Sequence, residues 1–136
     1  MPLLLNEHQV KTLLPMADLI DAMEGALAAF STGRVRQPVR SIVELGSHGF
    51  FGVMPAAIPP DDAGTPGAAG AKIVTVVPRN HHQGLPSHLA TIFLLDPETG
   101  ALDALLDGRY ITEARTAAVS AVSARHLARR DADVVA

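Results

Sequence analysis

The sequence predicts an α+β fold: a mixed, mostly antiparallel sheet with flanking helices, the last of them long and near the C-terminus. Three observations predict it. Helical spacing of apolar residues is confined to the two ends of the chain. The middle is a series of short Ile-, Val- and Leu-rich runs separated by Gly, Pro and Asp clusters. No regular alternation of strand and helix appears, which argues against a fully parallel sheet. With 136 residues, 48% of them hydrophobic, the chain has material for one packed domain and is not disordered on composition.

Each element has its own local reason. Asn6 followed by Glu7, His8 and Gln9 reads as a helix cap, with Gln9 able to reach back as in a capping box. A short helix through Val10 to Leu14 follows, and Pro15 resets the chain. From Asp18 to Phe30 the apolar positions Leu19, Met23, Ala26, Leu27 and Phe30 form one stripe, and Gly33 suits the residue after the cap. Arg40–Leu45 and Phe50–Met54, joined by Gly46-Ser47-His48-Gly49, read as a hairpin. Pro59 to Gly67 is loop by composition, and a strand opens at Lys72 and stops at Pro78. A second loop covers Arg79–Pro86, and strands at Leu89–Leu95 and Ala101–Leu106 flank the turn Asp96-Pro97-Glu98-Thr99-Gly100. Thr112 suits the N-cap of an alanine-rich helix running to Ala128, and Ala132–Ala136 reads as a strand just beginning.

Composition excludes several functions. There is no cysteine, so disulfides, thiolate metal sites and cysteine nucleophiles are absent. The net charge of −3, and 4% aromatic residues with no Trp, give no expectation of nucleic-acid binding. No apolar stretch has membrane-spanning length and the N-terminal run is too short for a signal peptide, so a cytoplasmic protein is expected. The Gly64, Gly67, Gly70 series precedes a strand rather than a helix and reads as a flexible loop, not a nucleotide cradle. Six scattered histidines, none spaced i, i+4 on a helix, predict no metal site.

The cations carry more. Arg40 and Lys72 each open an expected strand, and Arg115 falls in the first turn of the last helix. The helix dipole disfavours a cation there unless an anion is near, and Thr116 adds a hydroxyl and a free backbone N–H. A solvated Arg115, or one paired with Glu113 or Asp107, satisfies the same local physics.

Five segments stand in a recognisable order: Gln37-Pro38-Val39-Arg40, Gly52-Val53-Met54-Pro55-Ala56, Lys72-Ile73-Val74, Asn80 through Gly84-Leu85-Pro86-Ser87, and Ile111-Thr112-Glu113-Ala114-Arg115-Thr116-Ala117-Ala118. Together they resemble the N-terminal half of the ornithine cyclodeaminase/mu-crystallin family, from about Asn6 to Ala136, and Pro86-Ser87-His88 leans toward the mu-crystallin branch. The resemblance implies that Arg40, Lys72 and Arg115 surround an amino- or imino-acid substrate, with Lys72 as the catalytic proton carrier. It further implies that Ser87 and Thr116 approach an NAD or NADP cofactor, and that the sheet pairs with that of a second subunit in a homodimer. The reaction implied passes a hydride between the cofactor and the substrate α-carbon or C=N bond. By the same resemblance residues 1–130 form the substrate-binding and dimerisation domain, and 131–136 begin a dinucleotide-binding (Rossmann) domain. The family's fingerprint would follow Val134-Val135-Ala136, and its catalytic aspartate lies further on. The expectation is therefore a fragment, inactive alone, of an oxidoreductase. A noncatalytic small-carboxylate binder and a purely structural dimerisation module are the alternatives.

Overall fold

The computed structural model describes residues 1–132 apart from Ser47, Ala63 and Thr65, so the strand expected at Ala132–Ala136 lies almost wholly outside the described residues. The elements in chain order are β1 (Leu3–Leu5), α1 (Glu7–Leu13), α2 (Met16–Ser31), β2 (Ser41–Glu44), β3 (Phe50–Ile58), β4 (Ala68–Val76), a 3-10 turn (Pro78–Gln83), β5 (His88–Leu95), β6 (Leu102–Asp107) and α3 (Arg109–Leu127). The strands form one six-stranded sheet in the order β1-β6-β5-β4-β3-β2. Strands β2 to β6 are an antiparallel meander, and β1 joins β6 in parallel. The expected α+β class and mixed sheet are what the structure has.

Several local readings hold at residue level. Asn6 caps α1 in a reciprocal box with Gln9, each side chain accepting from the other residue's backbone N–H at 3.0 Å. Gly33, at φ 77°, closes α2: its N–H reaches the Phe30 carbonyl and that of Arg34 reaches Ala29, a Schellman arrangement. The hairpin of β2 and β3 pairs Glu44 with Phe50 and Ser41 with Val53.

Four expectations are corrected. The first strand, β1, was not foreseen, because three leucines show no alternation and only the parallel pairing with β6 makes them a strand. Second, β4 begins at Ala68, so Gly70 is strand rather than loop and Lys72 sits mid-strand instead of opening it. Ala and Gly have weak strand propensity, and pairing with Ala56–Ile58 and Leu94–Leu95 decides the matter. A Cβ on Gly70 would stand 2.4 Å from the Phe93 carbonyl oxygen, so only glycine fits there. Third, β3 runs through Pro55 to Ile58. Ala57 exchanges backbone bonds with Arg36, and Pro55 points to that same side, beyond the end of β2, where its missing N–H breaks no ladder bond.

The fourth correction concerns α3. Its N-cap is Gly108, not Thr112, and the Thr112 hydroxyl donates back to the Gly108 carbonyl at 2.8 Å. A Cβ on Gly108 would lie 3.0 Å from the Ala90 Cβ, so the residue's bareness lets the helix leave β6 directly across β5. Helix α3 then lies along α2 through a seam of small residues. Ala114, Ala118 and Leu19 are buried there, with Ile20, Met23 and Tyr110 packed around them. The two helices run in the same sense, since Leu19 meets Ala114 and Ala118 while Arg125 bonds Asp21 and Glu24 further on.

Candidate functional site

Strand register puts Lys72 of β4 on the sheet face that also carries Met54 of β3 and Ile92 of β5, its direct cross-strand neighbours. Helix α3 begins over this face. Its first turn supplies Thr112, whose Oγ1 stands 3.5 Å from Lys72 Nζ. That is a long contact for an ammonium, which leaves most of its donor capacity unused.

Electrostatics tie Lys72 to the other two predicted cations. Its pKa is held below the ordinary lysine value, first by burial, then by the positive charge of Arg115, then by that of Arg40. Three residues 32 to 75 positions apart in sequence therefore act on one point in space. Arg40 immediately precedes β2, and Arg115 lies in the second turn of α3. Both are exposed, and neither forms a salt bridge with Glu113, Asp107 or any other described carboxylate. Glu113 instead pairs with Arg109. The clustering differs from its expected cause in one respect. With Gly108 as N-cap, Arg115 is not in the first turn and the N–H of Thr116 belongs to the helical ladder, so the helix dipole is not what sets the charge balance.

The two predicted cofactor contacts lie farther out. Ser87 is exposed at the foot of β5, five residues before Ile92, or about 16 Å along an extended strand. Its carbonyl accepts from Val77 N–H at 2.8 Å, while its hydroxyl has no partner among the described residues. Thr116 is exposed one turn beyond Thr112, and its hydroxyl donates to the Thr112 carbonyl at 2.9 Å while keeping its capacity to accept. The structure thus brings Arg40, Lys72 and Arg115 together, sets Thr116 next to Arg115 on α3, and leaves Ser87 apart at the foot of β5.

A sequence model of the ornithine cyclodeaminase/mu-crystallin family matches residues 1–136. The chain belongs to that family. Among relatives, the rat ketimine reductase mu-crystallin is 41% identical over 139 residues, an alignment covering 98% of this chain and 43% of the rat protein. Among solved structures, the Delta(1)-pyrroline-2-carboxylate reductase of Thermococcus litoralis, in complex with NADH and L-proline, superposes with a TM-score of 0.84 at 39% identity, covering 95% of this chain and 39% of that one. An archaeal alanine dehydrogenase dimer with bound NAD gives 0.86 at 32% identity, covering 96% and 38%. The chain spans about two-fifths of the length of these family members.

Two residues near Lys72 escaped the sequence reading. Thr112 looked like a cap, because a hydroxyl before an apolar periodic run is the usual cap signal. Met54 stood inside a recognised segment with no role attached, and only the β3–β4 register sets it beside Lys72.

Proposed function

We propose that this chain is the substrate-binding and dimerisation part of an NAD(P)-dependent amino- or imino-acid oxidoreductase, and that Arg40, Lys72 and Arg115 hold the substrate's α-carboxylate. The observation that carries the proposal is the convergence of three cations on a half-buried lysine with no described carboxylate to neutralise them. Such a cluster is self-repelling when empty and is relieved by a small anion. Arg guanidiniums offer the planar fork that grips a carboxylate through both oxygens.

Lys72 has a second part in this reading. A lysine with a lowered pKa exchanges protons nearer neutral pH, and here it would do so at the substrate nitrogen. Thr112 Oγ1 stands 3.5 Å from its ammonium on the helix side. Ser87 and Thr116 present exposed hydroxyls that suit the carboxamide edge of a nicotinamide. When bound, that cofactor gives or takes the hydride at the α-carbon. No G-x-G-x-x-G turn occurs in the sequence, so these residues offer the ring a contact but give the pyrophosphate no cradle. The chain alone is accordingly inactive in this reading.

The sheet supplies the second half of the proposal. Its face opposite Lys72 carries Phe51, Val53, Ile73, Leu89 and Phe93, with Thr75 and Thr91 among them, a mainly apolar surface for a second subunit's sheet.

The experiment is calorimetric titration of the chain with L-proline, compared with Arg115→Ala, Arg115→Lys and Lys72→Met. The expected result is saturable binding, lost in Arg115→Ala and only partly restored by Arg115→Lys. Affinity that is indifferent to all three substitutions overturns the site. Tight NADH binding by the chain itself overturns its inactivity. Binding of carboxylates without turnover in any longer form of the protein favours the noncatalytic binder.

A further inference from the structure

On the same sheet face, next to Lys72, lies a hollow of about 260 Å³. Moving along β4 from Lys72, Gly70 and Ala68 form its floor, with Met54, Ala56 and Ile58 of β3 on one side and Ile92 and Leu94 of β5 on the other. Gly70 and the alanines make the depression, since small side chains in the centre are bordered by larger ones. Among the described lining residues Lys72 alone carries a charge, and none of their side chains is a carboxylate, amide or hydroxyl.

The hollow and the cation cluster are continuous through Lys72. Helix α3 covers the opposite direction, where Gly108 closes against Ala90 and Ile92. A small molecule held by its carboxylate at Arg40, Lys72 and Arg115 has this apolar depression as the open place for its side chain. We propose that the hollow receives the substrate side chain, and that this chain selects amino and imino acids with aliphatic or ring side chains against those with a cationic one. The inference rests on the carboxylate reading above. Two costs would oppose a terminal ammonium here. It would lose hydration against aliphatic walls that hold no counter-ion among the described lining residues, and it would sit beside three like charges. An aliphatic group gains from the same walls.

L-norvaline and L-ornithine test this, because they share the α-amino acid core and differ by a terminal ammonium on the side chain. The chain is labelled with 13C-methyl methionine, the Met54 signal is assigned by Met54→Leu, and each amino acid is titrated. Norvaline should bind at least about tenfold more tightly than ornithine and shift the Met54 methyl. Leu94→Glu places a carboxylate at the rim on a side chain that is already exposed, so the fold survives. It should raise ornithine affinity at least about fivefold while lowering that for norvaline. Lys72→Met should weaken both ligands. Equal affinities that still depend on Lys72, or norvaline binding that leaves Met54 unmoved, overturn the side-chain assignment alone. Binding indifferent to Lys72, or no saturable binding of either amino acid, overturns the carboxylate reading with it.

Discussion

Lys72 is a residue the fold holds at a disadvantage. Burial and two neighbouring guanidiniums oppose its charge, and a long contact to Thr112 returns little. Because its folded pKa lies below the unfolded one, the folded state binds fewer protons wherever the two differ. The penalty is therefore fully present below the folded pKa and fades as pH rises toward the ordinary value of 10.5. Lys72→Met keeps the aliphatic stem and removes the charge. It should stabilise the unliganded chain at pH 7 by about 0.5 kcal/mol once solvent screening is allowed for, read as a higher urea midpoint. The advantage should shrink toward pH 10, and a variant less stable than the parent at pH 7 contradicts this. Gly70 is the opposite case, a residue fixed by space. Gly70→Ala sets a methyl 2.4 Å from the Phe93 carbonyl oxygen between two paired strands, and should cost about 1–3 kcal/mol. An unchanged midpoint would show that the strands part more easily than their pairing implies.

Between elements, the seam of α2 and α3 depends on smallness. Ala118 is fully buried against Leu19, so Ala118→Leu should cost about 1–3 kcal/mol in the same assay, while the exposed Ala117→Leu should cost almost nothing. Beyond the seam, Glu24 accepts from Arg125 at 2.5 Å and bonds the His126 ring, and the His126 contact leads in holding its carboxyl below the usual 4.5. A depressed carboxyl contributes stability above its unfolded value and loses it as pH falls through the folded one. Glu24→Gln should therefore flatten the acid limb of the stability profile below about pH 5, and an unaltered limb would remove Glu24 from it. Elements of this kind were legible wherever the signal was local. The Asn6–Gln9 box, Gly33 and the Asp96–Gly100 turn are written in neighbouring residues. What escaped was written in distant ones. β1 exists through Leu105, the first half of β4 through Ala56–Ile58, and the start of α3 through Ala90. The candidate site divides the same way: family segments marked Arg40, Lys72 and Arg115, whereas Thr112 and Met54 needed helix placement and strand register.

Taken whole, the molecule exposes 9539 Å², whereas a well-packed 14.2 kDa monomer exposes about 6,800 Å². The excess is of the size that permanent interfaces cover, and much of it is apolar, including Leu89 on the sheet face away from Lys72. Among the described residues no helix is long and apolar enough to cross a membrane. The chain should sediment as a dimer at tens of micromolar, and Leu89→Glu should shift it toward monomer with its circular dichroism unchanged; a monomeric parent would refute the paired-sheet reading. The pairing of Leu3 with Ala104 has a consequence for synthesis. The strands from β2 to β6 each find their partner in the next segment made, but β1 and α2 wait for β6 and α3. Leu19 and Met23 of α2 thus leave the ribosome roughly ninety residues before Ala114 and Ala118 arrive to cover them, an interval of about 5–20 seconds at ordinary elongation rates. For that time the nascent chain carries a bare amphipathic helix, open to any holdase that meets it.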